Sequence, residues 1–148
     1  MSRSNNTRSS LFLLELMIAI LFFSLGSAVC VQVFVKAHTL NESARDLNFA
    51  STQISSVSSV IKYTDGTLPS LQKYYPHIKK TQEGFTVFYD RDYQECGEKD
   101  LAFYQLSITL EDRESMITAH LQMKKQKDDS LLYELELHYP NTGTTKNT

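Results

Sequence analysis

Residues 11–35, LFLLELMIAILFFSLGSAVCVQVFV, form an almost unbroken apolar run, interrupted only by Glu15, Gln32 and small residues such as Ser24, Gly26 and Ser27. Built as a helix at about 1.5 Å per residue, the run is roughly 37 Å long. It therefore crosses a bilayer core of about 30 Å with some tilt. Arg3 and Arg8 precede it, and residues 1–10 contain no Asp or Glu. The positive-inside rule then puts the N-terminus in the cytoplasm and everything after residue 35 outside. A cleaved secretory signal has a shorter apolar region, about 7–15 residues. The small residues near Ser27 and Ala28 would leave Val29 at the last position of such a site, which fits poorly, and a lipid-modified Cys30 meets the same misfit.

Glu15 is the residue in this run that requires an explanation. A carboxylate at the centre of a span costs on the order of 2.5–3.5 kcal/mol on insertion scales. Glu15 sits only one turn into the run, so its cost is smaller. It can reach the interface or take up a proton; alternatively, it meets a positive charge from a neighbouring molecule, the functional reading that an intramembrane ionisable group invites.

Residues 10–20, SLFLLELMIAI, resemble the N-terminal motif of type IV pilins and of the pseudopilins of type II secretion and DNA-uptake systems. In that family a basic leader ends at a small residue, usually Gly. A prepilin peptidase cuts there and methylates the new N-terminus, and the fifth mature residue is Glu. Aligned on Glu15, the resemblance implies cleavage between Ser10 and Leu11, methylation of Leu11, and an assembly role for Glu15. Here Ser10 stands in place of the usual Gly and Leu11 in place of the usual Phe. The resemblance covers about the first third of the chain. The implied role of Glu15 has a physical rationale: it would neutralise the amine of Leu11 on an adjacent subunit, so that neither charge stays unpaired where water is scarce.

Beyond residue 35 the helix is expected to continue. Leu40, Leu47, Ile54 and Ile61 recur every seven residues, beside a row of small residues, Ala37, Ala44, Ser51 and Ser58, with Asn41, Glu42, Arg45, Asp46, Asn48 and Gln53 between them. This is an amphipathic pattern over 36–63 with one stripe to bury, and Asp65-Gly66 supplies a stop. Residues 64–83, with Gly66, Pro69 and Pro76, read as a connecting loop in which Tyr74 and Tyr75 act as apolar anchors. Four strand candidates follow within 84–140: 84–90, 101–110, 115–124 and 131–139. Alternation puts Tyr104, Leu106, Ile108 and Leu110 on one face, as it does Ile117, Ala119, Leu121 and Met123. In the last strand Leu131, Tyr133, Leu135, Leu137 and Tyr139 alternate with Glu134, Glu136 and His138. Short polar breaks join antiparallel neighbours, giving a four-stranded meander with one wet face. The helix stripe covers the other face, an α+β fold that the resemblance also implies. Residues 141–148 read as a disordered polar tail.

The remaining residues carry little chemistry. The net charge of −2 gives no basic face for nucleic acid. Cys30 and Cys96 are too far apart in sequence and setting to make a disulfide framework or a metal site, and they read as independent thiols. His38, His77, His120 and His138 share no metal-ligand spacing. Glu134, Glu136 and His138 read as a solvated strand face, and Asp90, Asp92 and Glu95 around Tyr93 lack the pattern of a calcium loop. Cys96 has Lys99 near in sequence but no base, and the serines within 51–59 also lack one. There is no phosphate loop and no catalytic dyad, so neither a metal nor a cofactor is expected. The expectation is a non-enzymatic, single-pass protein of the cytoplasmic membrane, whose partners are the lipid bilayer, the prepilin peptidase and other pilin-like subunits of a surface filament. The rival reading is a single-span anchor carrying an extracytoplasmic binding or sensor domain.

Overall fold

The computed structural model describes residues 4–64, 66–113 and 115–140. The expected tail 141–148, the first three leader residues and Asp65 of the expected stop lie outside the described residues. The chain is α+β, with one long N-terminal helix, α1 (Ser4–Tyr63), packed on an antiparallel sheet. It divides into two compact units, Met1–Ala44 and Arg45–Thr148.

The first unit is helical. Its helix starts at Ser4, so the described part of the expected basic leader is helical. No residue from 8 to 44 is buried. The first turn carries no acidic side chain and Arg8 follows in the second, an arrangement that opposes the helix dipole.

In the second unit the last turns of α1 lay a stripe on the sheet. Ala50, Ile54, Val57 and Ile61 are fully buried, with Phe49 and Val60 packed beside them. Their steps of three and four residues keep them on one face. The expected seven-residue stripe holds for Ile54 and Ile61 only. Leu40 and Leu47 are exposed, as are Ala37 and Ala44, while Ser51 and Ser58 are half-buried. The buried stripe follows the 3.6-residue period of a straight helix, which drifts away from a seven-residue row. After Tyr63, the hydroxyl of Thr64 donates to the carbonyl of Val60 at 2.7 Å, and Gly66 turns the chain at φ +66°.

The connection 64–83 is more ordered than a loop. It contains a short helix, α2 (Leu68–Gln72), with Pro in its first turn, and a two-residue strand, β1 (Lys79–Lys80). Leu71, Tyr75 and Ile78 are buried in the core, whereas Tyr74 is exposed. The sequence showed the Pro residues here, but not that these three apolar residues recur at spacings of four and three and dock as a unit.

The sheet has six strands rather than four. Besides β1 they are β2 (Gly84–Tyr89), β3 (Glu95–Cys96), β4 (Tyr104–Arg113), β5 (Met116–Lys125) and β6 (Leu131–Pro140). The order is β1-β2-β4-β5-β6, all antiparallel. β3 pairs with the Phe88–Tyr89 end of β2, while β1 pairs with Phe85 and Thr86. Two-residue strands leave no periodic signal, which is why β1 and β3 were not legible. Gly84 opens β2 opposite Thr109, where a side chain would run into the Ile108 carbonyl.

Phe85, Val87, Tyr89, Tyr104, Leu106, Ile108, Ala119, Leu121 and Met123 line the helix-facing core. The second face is not uniformly wet: on β2, Thr86 and Phe88 are buried too. The alternation of β6 slips at its start. A bulge opposite Met123 and Lys124 leaves Leu131 exposed and turns Leu132 towards the core, since one extra residue reverses the facing of what precedes it.

Candidate functional site

The expected site residues lie in the first unit. Ser10 and Leu11 are consecutive helical residues and Glu15 is one turn further on; all three are exposed. Positions i and i+4 of a helix share a face, so Leu11 and Glu15 do. The helix is long and apolar enough to cross a membrane, and none of its apolar window is buried within the chain. Large side chains project all round: Phe12, Met17, Phe22, Phe23 and Phe34 are each more than 60% exposed. Ser24 satisfies its hydroxyl internally, donating to the carbonyl of Ile20 at 2.8 Å, as a span without water requires. A Cβ on Gly26 would meet nothing within 4 Å, so nothing in its own chain requires a glycine there.

The second unit holds a polar centre between helix and sheet that the sequence reading missed. Asp46 is the one charged residue buried among those described. Its Oδ1 accepts hydrogen bonds from the hydroxyls of Tyr104 at 2.7 Å and Tyr93 at 2.9 Å. Its Oδ2 pairs with the ammonium of Lys125. Burial pushes the carboxyl up, but the hydrogen bonds from Lys125, Tyr104 and Tyr93 outweigh that and hold it below the usual aspartate value. Tyr104 moves the other way: burial and its bond to Asp46 push its hydroxyl far up, so it stays a donor. Phe49 sits among the rings, 4.5 Å from Tyr93, 5.2 Å from Tyr89 and 5.5 Å from Tyr104 between centroids.

Tyr93 reaches Asp46 from a strained backbone, at φ +63°. Asp90 supports that turn, its Oδ1 accepting the N–H groups of Asp92 at 2.8 Å and Gln94 at 2.9 Å. One oxygen of Asp90 is thereby engaged in the turn. The sequence signal for Asp46 existed: it lies four residues before Ala50, in phase with the buried stripe. Buried aspartates are rare without partners, and those partners come from β4, β5 and a loop remote in sequence.

On the face of the sheet away from the helix, Glu136 lies between two histidines, 3.1 Å from His138 Nε2 and 3.6 Å from His120 Nδ1. His138 Nδ1 is 3.1 Å from the hydroxyl of Thr118, and Gln122 donates to Glu134 at 3.3 Å. All but the Glu136–His138 pair, which lies within β6, are cross-strand pairs, and no group of three ligands converges on a metal position among the described residues. Cys30 is an exposed thiol in the first unit. Cys96 lies in β3; burial and the nearby Asp90 raise its pKa, the opposite of what a nucleophile needs. The hydroxyls of Ser58 and Ser59 donate to the carbonyl of Ser55 on the helix.

No family model, curated protein or solved structure matches this chain.

Proposed function

We propose that this chain is a pilin-like or pseudopilin-like structural subunit. Residues 11–35 anchor it in the cytoplasmic membrane, and the same helix assembles with similar subunits into a type IV pilus or a type II secretion or DNA-uptake filament. The observation that carries this reading is the pairing of an apolar helix uncovered on all sides with a single carboxylate, Glu15, one turn after Leu11. The bilayer covers the apolar surface of a lone chain; neighbouring helices cover it in a filament. The open surface at Gly26 suits close approach of a neighbouring helix.

In this reading the prepilin peptidase cuts between Ser10 and Leu11 and methylates the amine of Leu11. That amine shares a helix face with Glu15, so two chains staggered by about one turn set the amine of one against the carboxylate of the other. Cleavage requires the first turns to unwind. Those turns lack an acidic residue at their start and carry Arg8 against the dipole. The leader lies inside the cell and the second unit outside, following the arginines. The role is structural rather than catalytic.

Mass spectrometry of the N-terminal peptide from the membrane fraction tests this. The expected peptide begins at a methylated Leu11. A peptide retaining residues before Leu11 would instead favour the single-span binding or sensor domain. A second arm uses Glu15→Leu, which is expected to insert normally and to be lost from sheared filaments; equal incorporation of the variant would remove the assembly role of Glu15.

A further inference from the structure

The two strands that end the sheet order, β1 and β6, carry opposite charge. Residues 66–82 contain no Asp or Glu but hold Lys73, Lys79 and Lys80, all exposed. The last two form edge strand β1. Lys79 lies opposite Thr86, with its ammonium 5.9 Å from the centroid of the Phe88 ring on the face away from the helix. Lys80, opposite Phe85, is on the helix-facing side. The other edge, β6, presents exposed Glu134 and Glu136, and residues 128–140 contain no Lys or Arg. β3 shares the side of β2 on which β1 lies, and Glu95, Glu98 and Asp100 there are acidic, as is Glu83 in the turn into β2, so the basic stretch is confined to β1 and the segment before it.

β1 and β6 end the order β1-β2-β4-β5-β6. Four strand spacings of about 4.8 Å separate them by roughly 19 Å. That is about twice the screening length at physiological salt, roughly 8 Å, so the edges do not neutralise each other within one chain.

We propose that neighbouring copies of this chain meet edge to edge, with Lys73, Lys79 and Lys80 of one against Glu134 and Glu136 of the next. Two β6 edges repel each other, as do two β1 edges, so only the unlike pairing is attractive. Such a contact is heterologous and continues as an open row rather than closing as a dimer. Exposed ion pairs are individually weak, so dilute chains do not associate through them. The contact acts between copies that an anchor already holds in one membrane at high effective concentration. In that respect it rests on the anchor reading above.

The test uses the full chain in lipid vesicles. With Cys30→Ser and Cys96→Ser in the background, Thr81→Cys and His138→Cys put a thiol beside each edge and leave all five charges in place. A short bis-maleimide is expected to give a ladder of dimers, trimers and longer products. Lys79→Glu with Lys80→Glu, or Glu134→Lys with Glu136→Lys, should each reduce the ladder roughly tenfold. Both reversals in one chain should restore it. A ladder that survives either reversal alone overturns the proposal. So do dimers from Thr81→Cys alone or His138→Cys alone, which would mean like edges meet. Loss on lysine reversal without loss on glutamate reversal also overturns it, assigning the basic edge to another anionic partner. A separate chain that keeps native Cys30 reports contact between anchors by oxidation to a disulfide. Cys30 disulfides without an edge ladder sink the edge proposal and leave the anchor reading standing; a ladder without Cys30 disulfides supports the edges and counts against helix-mediated assembly. If neither forms, the edge proposal fails with it.

Discussion

Two stretches of one helix solve the problem of apolar surface differently. In residues 11–35 apolar side chains occupy the whole circumference and none is buried; in residues 49–61 they are confined to a stripe that the sheet covers. Ile20 is 57% exposed and Ile54 is 0% exposed. Covering one stripe takes one sheet face, and the second unit supplies it from its own strands. Covering a full circumference takes a bilayer or a ring of other helices, which a small domain does not possess. Folding of the second unit is thus complete without the first, while the first depends on what surrounds it.

The largest expected effect tests this contrast with one residue type on one helix. Ile54→Ala should destabilise the second unit by about 3 kcal/mol, through lost burial and the cavity left behind. Ile20→Ala should leave its unfolding unchanged and weaken membrane insertion by only about 0.5 kcal/mol. Denaturant unfolding of the full chain in micelles, followed by tyrosine fluorescence, separates the two. Equal effects on domain unfolding would break the comparison.

The polar centre is next in size. Asp46→Ala leaves the Tyr104 and Tyr93 hydroxyls and Lys125 without their shared acceptor. The loss should be roughly 3 kcal/mol, at the low end for a broken buried pair, because Lys125 keeps 27% side-chain exposure. The same centre makes stability depend on pH. The folded state holds the Asp46 carboxyl below its ordinary value, so its contribution is fully present above the unfolded value of about 3.9. That contribution disappears as pH falls from there through the lower folded value, with a limiting slope of about 1.4 kcal/mol per pH unit. Asp46→Asn should flatten the acid limb of the stability curve; an unchanged limb would assign acid sensitivity to other carboxylates.

The two regions also differed in how far the sequence disclosed them. The long apolar helix was legible because a largely apolar run of 25 residues is long enough to cross a membrane as a helix. The helix-on-sheet layout was legible from the alternation of Leu106 and Ile108 and of Leu121 and Met123. What escaped was decided by contacts between distant segments. Asp46 looked like a solvated helix residue because Tyr93, Tyr104 and Lys125 lie 47 or more positions away. β1 and β3 are held by pairing to β2 rather than by any pattern of their own. The bulge that exchanges Leu131 for Leu132 leaves no mark in the alternation. Of the candidate site, Ser10, Leu11 and Glu15 could be named only from a motif; the structure adds that all three are exposed helical residues. That the oppositely charged β1 and β6 end the sheet became visible only once strand order was known.

The smallest expected effect lies where the two regimes meet. Leu40 and Leu47 share the seven-residue row of Ile54 and Ile61, yet they are 61% and 48% exposed. If that row were a seam within the chain, Leu47→Ala would cost the 2–5 kcal/mol typical of a buried leucine, roughly as much as Ile54→Ala. If the straight-helix period governs, Leu47 has rotated off the sheet. Its removal then shifts unfolding by less than about 0.5 kcal/mol, as for surface substitutions generally, and Leu40→Ala has no measurable effect. Both substitutions retain good helix formers, so any change reports packing rather than helix propensity. A loss above about 1 kcal/mol at Leu47 would extend the buried stripe upward and blur the boundary. A null result would leave both leucines, like the span before them, as surface to be covered by something other than their own chain.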